Sequence, residues 1–162
     1  MPGIFHQAGC CCGCPCLGAT PGLTVSVVGG GDPVCGLANW PFSDLGPWSP
    51  LAGFSSLGDD WCSMVWQSWD NGGEGAYAAW LGLYYRRSTE KWCSWMDVFI
   101  CGHAGTDADT CECPEGAPVG ICPSTDVTGL VSCDSGDISG VFELAGDAGN
   151  PFEGYSFQCV IS

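Results

Sequence analysis

The sequence predicts an all-β fold: a disulfide-rich two-sheet sandwich or jelly-roll-like domain with long irregular loops. Three observations predict it. Short runs of β-branched and aromatic residues are separated by stretches rich in Gly, Pro and Asp. No window of about a dozen residues keeps apolar positions at helical spacing without a Gly or Pro. Fourteen cysteines among 162 residues reach the density of a disulfide scaffold, and their number is even.

Residues 1–21 read as a cysteine-rich N-terminal arm and residues 22–162 as a single β-sandwich domain. In the arm, Cys10, Cys11, Cys12, Cys14 and Cys16 crowd together among Gly and Pro. Adjacent cysteines bond each other only with strain, so most of these five are expected to reach across to other segments. Leu23, Val25 and Val27 alternate with Thr24 and Ser26, the period of a half-buried strand. From Cys35 to Asp60, Pro41, Pro47 and Pro50 with several glycines predict a loop plugged by Trp40, Phe42, Trp48 and Phe54. Trp61–Gln67, Ala76–Tyr85 and Trp92–Cys101 read as a meander, with Asn71-Gly72 suited to a type I′ hairpin turn. Their apolar residues fall on both faces, as in the central strands of a sandwich. Gly102 to Ser135 reads as a polar excursion pinned by Cys111, Cys113, Cys122 and Cys133. Ile138–Leu144 and Tyr155–Ile161 then alternate as two closing strands, with Tyr155, Phe157 and Ile161 directed to the core.

A hydrophobic fraction of 46% with 8 Trp, 7 Phe and 4 Tyr supplies ample core and excludes a disordered composition. Arg86, Arg87 and Lys91 are the only basic residues against 18 acidic ones. The formal charge of −15 repels nucleic acid and anionic membrane surfaces alike. No segment approaches the apolar length of a membrane span. The first residues carry neither a positive n-region nor an apolar run, so no secretory signal is recognised. Oxidised cysteines without such a signal point to a virion, oxidised after lysis, or to an extracellular chain whose leader has been removed.

Chemistry finds little foothold. His6 and His103 are too few for a histidine metal site, and no Gly-x-Ser-x-Gly motif accompanies them, so no enzyme is expected. Cys11, Cys14, Cys111 and Cys113 offer four thiolates to zinc, but that use leaves Cys35, Cys62, Cys93, Cys101 and Cys159 unexplained. Disulfides account for all fourteen. Cys93 and Cys101 stand too far apart along one strand to pair with each other. Asp107, Asp109 and Glu112 are candidate calcium ligands, with Asp134 and Asp137 as a second pair, although neither fits an EF-hand loop. Among the tryptophans, Trp61, Trp66, Trp80 and Trp95 lie in strands and are expected in the core. Trp40, Trp48 and Trp69 lie in or beside loops, and Trp40, Phe42 and Trp48 are the expected contact anchors.

Cys14-Pro15-Cys16 followed by Gly22 to Val27, the tryptophan-bearing middle strands, and Ile138 to Leu144 before a last strand ending Val160-Ile161-Ser162 form an ordered set of features. That set resembles a family of cysteine-rich β-domains found in tailed-phage and planctomycete-type structural proteins. The resemblance implies surface or virion architecture and carries over no catalytic residue. The expected function is therefore structural: a decoration or tail-associated virion protein, or an extracellular filament subunit, whose partners are copies of itself or other subunits. The alternatives are a secreted glycan-binding module and a zinc-organised adaptor.

Overall fold

The computed structural model describes residues 13–30, 47–70, 76–101, 120–127, 129–146 and 153–162. In chain order its strands are β1 (Leu23–Gly29), β2 (Ser49–Pro50), β3 (Ser55–Leu57), β4 (Trp61–Asp70), β5 (Ala76–Arg86), β6 (Lys91–Cys101), β7 (Gly120–Asp126), β8 (Leu130–Asp134), β9 (Asp137–Ala145) and β10 (Ser156–Ile161). No helix occurs among the described residues. The fold is all-β, as the sequence predicts.

Two antiparallel sheets pack face to face. The smaller has the order β1-β10-β9-β8; the larger runs β2-β4-β5-β6-β7, with β3 also paired to β4. The chain starts in the small sheet, lays down the whole large sheet as a meander and returns to finish the small one. Its first and last strands therefore pair, from Leu23 opposite Ile161 to Gly29 opposite Ser156. Beyond them Gly22 N–H donates to Ser162 O at 2.8 Å, and Ser162 N–H returns a bond to Gly22 O at 3.2 Å.

Period-2 alternation decides which side chains enter the space between the sheets. From the small sheet come Leu23, Val25, Ile138, Phe142, Leu144, Phe157, Cys159 and Ile161; from the large one Cys62, Met64, Trp66, Ala79, Leu81, Leu83 and Met96. Val27, expected inward, is 38% exposed, just where a register shift separates Val27 from Gly29 in the pairing with β10. A bulge of this kind rotates the strand out of its alternation.

Two stretches expected as loop carry strands. Ser49–Pro50 and Ser55–Leu57 add short edges against β4, and Gly120–Asp126 and Leu130–Asp134 form β7 and β8. Their sequences hide them. Two or three residues cannot show alternation, and β7 contains Pro123, tolerated because this edge strand carries a bulge between its Ser94 and Met96 partners.

Two disulfides hold the described part of the arm. Cys14 bonds Cys62 on β4, with Cα atoms 5.5 Å apart, and Cys16 bonds Cys133 on β8, at 5.7 Å. The expectation that arm cysteines reach across the chain holds for both. Residues 13–21 lie on their own sandwich: Gly18 N–H donates to Phe54 O, Phe54 N–H to Ala19 O, and Trp66 Nε1 to Pro21 O. Cys10, Cys11, Cys12, Cys35, Cys111 and Cys113 lie outside the described residues, as does the Asn71-Gly72 turn.

Replacing Cys16 and Cys133 together by serine is expected to lower unfolding stability by about 2–5 kcal/mol, because the bond closes a long loop of the unfolded chain. Denaturant titration of the oxidised proteins measures it. Phe157, at 0% exposure, should cost about 3–5 kcal/mol when changed to alanine, read in the same way.

Candidate functional site

In a sandwich each sheet has one face inside and one outside. The large sheet carries large apolar side chains on both. Its inner positions, Cys62, Met64, Trp66 and Ser68 on β4, are matched across the ladder by Tyr85, Leu83, Leu81 and Ala79 on β5. The positions between them point away from the core. They are Trp61, Ser63, Val65 and Gln67 on β4, facing Arg86, Tyr84, Gly82 and Trp80 on β5. On β6 the same face carries Cys93, Trp95 and Asp97, opposite Tyr84, Gly82 and Trp80.

Leu57, Trp61, Tyr84, Cys93 and Trp95 line an open groove of about 280 Å³ on this outer face. Leu57 is 52% exposed, and the other four are half-buried. Tyr84 sits in the middle. Its ring lies 6.4 Å from Trp95 at an interplanar angle of 32°, and 6.3 Å from Trp61 at 89°. Tyr84 and Trp95 are thus inclined to each other, and Trp61 stands at a right angle to Tyr84.

Each ring is fixed by something specific. Trp95 lies across Gly82, where an added Cβ would stand 2.5 Å from its Nε1 and 2.8 Å from the Tyr84 ring. Glycine is required here by the rings above it. Beneath, the buried Ser94 Oγ donates to Gly82 O at 2.7 Å and fixes the backbone on which Trp95 rests. The bulge in β7 lies beside Trp95, a device that re-aims side chains. At the far end the Arg86 guanidinium stands 5.3 Å above the Trp61 ring, and Arg86 Nε donates to Asp60 Oδ2 at 2.8 Å. That bond, with others from Ser88, holds the Asp60 carboxyl below its ordinary value.

Asp97 lies two residues along β6 from Trp95 on the same face, roughly 7 Å away. Burial pushes its carboxyl above the ordinary 3.8, and nothing among the described residues offsets that. A half-buried carboxylate with no partner among the described residues lowers stability, which makes Asp97 a candidate contact group beside the rings.

The tryptophans sort differently from expectation. Trp66 is in the core at 0% exposure, but Trp61, Trp80 and Trp95, also expected there, are half-buried on the outer face. Trp48, expected as a contact anchor, is packed into the chain's own core, 7% exposed, and its Nε1 has no partner among the described residues. Trp40 and Phe42 lie outside the described residues. A signal for the outer rings was present in β5, where Trp80, Gly82 and Tyr84 alternate with Ala79, Leu81 and Leu83, while a two-layer fold can bury only one of the two sets.

The candidate calcium ligands Asp107, Asp109 and Glu112, and both histidines, lie outside the described residues. Asp134 and Asp137 oppose each other at the β8–β9 turn, both exposed. Cys14 is committed to Cys62, which removes its thiolate from the four-cysteine zinc set. Among the described residues no three or more His, Cys, Asp or Glu side chains gather as a metal site, and no helix is long and apolar enough to cross a membrane. No family model, curated protein or solved structure matches the chain.

A carboxyl raised in the fold favours the folded state below 3.8, where folded and unfolded chains are both protonated, and this advantage is lost as pH rises through the higher folded value. Asp97→Asn should therefore melt above the parent protein at neutral pH. The gap should close as the pH is taken below 3.8, as thermal unfolding across that range will show.

Proposed function

We propose that the protein is a non-catalytic surface or assembly subunit of an extracellular particle, a virion or a filament, and that it works by contact through the outer face of the large sheet. The carrying observation is the row Trp61, Tyr84 and Trp95, held half-exposed, the last two over Gly82, when the same sheet buries Trp66, Leu81 and Leu83. Large rings kept out of the core at fixed positions are the usual anchors of recognition surfaces.

Other features support this setting. Intramolecular disulfides suit an oxidising environment outside the cell. The charge of −15 keeps such a domain soluble until a specific contact is made. The described part of the arm is turned back on its own sheets, so the contact is assigned to the sheet face and not to residues 13–21. The resemblance to phage-type structural domains accords with a surface role.

Hydroxyl-radical footprinting of the protein in its native material and after purification tests the reading. Trp61, Tyr84 and Trp95 are expected to be protected in the native setting and reactive in the isolated domain. Equal reactivity of these rings in both samples would overturn it.

A further inference from the structure

The groove over Tyr84 and Trp95 also indicates what it holds. Resting on the contact reading above, we propose that its occupant is a neutral glycan chain, whose sugar rings stack on Tyr84 and Trp95 while Asp97 accepts a hydrogen bond from a hydroxyl. Three observations lead there.

The first is size. Five residues line the groove, and its volume is about 280 Å³. That is the scale of a small-ligand cleft, a few hundred Å³, so the groove fits a ligand the width of a single chain. The second is ring geometry. One face of a pyranose carries axial C–H bonds, weakly positive and apolar, and it packs on the electron-rich face of an aromatic ring. Tyr84 and Trp95 offer two such faces, 6.4 Å apart and 32° from parallel, so neighbouring sugars of one chain can use both. A ligand with hydroxyls around its edge also needs acceptors at the rim of the stacking surface. Asp97 lies outside the five lining residues, one position beyond Trp95 on the same face, partly desolvated and unpaired among the described residues. A hydroxyl donated to it supplies the partner it lacks.

The third is charge. The chain carries −15 and has three basic residues in all. Arg86 is bound to Asp60 and stacked on Trp61, Arg87 donates to Gly58 O and Asp59 O, and Lys91 lies 3.8 Å from Asp126. All three already stand beside acceptors or a carboxylate, and the net charge opposes an anionic polymer. A neutral polysaccharide meets no such opposition.

The oxidised full chain should be titrated with neutral hexasaccharides of the β-glucan, chitin and mannan types, with dextran sulfate as the anionic contrast, following indole fluorescence and calorimetric heat. At least one neutral hexasaccharide should bind and dextran sulfate should not. Trp95→Ala and Tyr84→Ala should each weaken binding about tenfold or more, with the melting temperature kept. Gly82→Ala, which keeps every ring but displaces Trp95, should weaken it too. Asp97→Asn should bind more weakly while melting higher at neutral pH, a split that a merely structural role would not produce.

Binding unaffected by Tyr84→Ala and Trp95→Ala would overturn the site, and binding of dextran sulfate would overturn the charge argument. If no neutral hexasaccharide binds at millimolar concentration while the rings stay protected in the native footprint, the glycan inference fails and the contact reading stands, with a protein as occupant. If the footprint is also unprotected, both fail.

Discussion

The structure depends first on a three-residue clip. Cys14 is bonded to β4 in the large sheet and Cys16 to β8 in the small one, with Pro15 restricting the backbone between them. One short segment is thus covalently tied to both layers. It could not be held otherwise, because a stretch of Gly, Pro and Cys has too little apolar surface to offset the entropy of ordering it. Once tied, it covers the sandwich at Phe54, whose backbone exchanges hydrogen bonds with Gly18 and Ala19. Arg87 adds a polar lock. Its Nη2 donates to Cys14 Sγ at 3.3 Å and to Ser56 Oγ, which joins the β5–β6 turn to the clip and to β3.

With the layers fixed, the outer face of the large sheet follows from counting faces. A two-layer fold gives every strand one buried and one open side. β4, β5 and β6 carry rings on both, so their second set of rings must meet solvent or a partner. The small sheet carries no aromatic residue at its described outward positions: Ser132, Ser139, Glu143 and Gln158 lie there, and its exposed large apolar groups are the aliphatic Leu130 and Val141, with Val27 and Val28 on β1. The two outer surfaces therefore differ in kind, and the aromatic one is rigid. Its backbone is the middle of a meander, fastened below by Ser94.

Much of this was legible beforehand. Strict alternation in Leu23–Val25, Ile138–Leu144 and Phe157–Ile161 marks strands whose inward side chains are the ones buried. The long aromatic runs marked the meander for the same reason. The edge strands were not legible, because β2 and β3 are too short for any period and β7 carries a proline. The site was misread for a different reason. The sequence expectation places tryptophans of strands in the core and tryptophans of loops in contact, whereas face and layer decide burial. Trp48 leaves a loop to fill the core, and Trp95 stands in a central strand yet points outward. The groove itself depends on pairing register, which sets Gly82 opposite Trp95, and single-chain periodicity contains no register.

The placement of the clip also decides how the domain bears tension. A pull on the chain before Cys14 does not reach β1. It passes through sulfur into β4, which is flanked by β2, β3 and β5, and into β8 through Cys16. Between those anchor points the segment leading into β1 is shielded, so the pairing of Leu23 with Ile161 carries no load from that side. A pull from Ser162 enters β10, which is bonded along both edges by β1 and β9. Force from Ser162 therefore arrives at an interior strand, and force from before Cys14 is shared between interior β4 and the edge strand β8. The sheet that bears the aromatic face is loaded through a covalent link into β4 instead of a hydrogen-bonded edge.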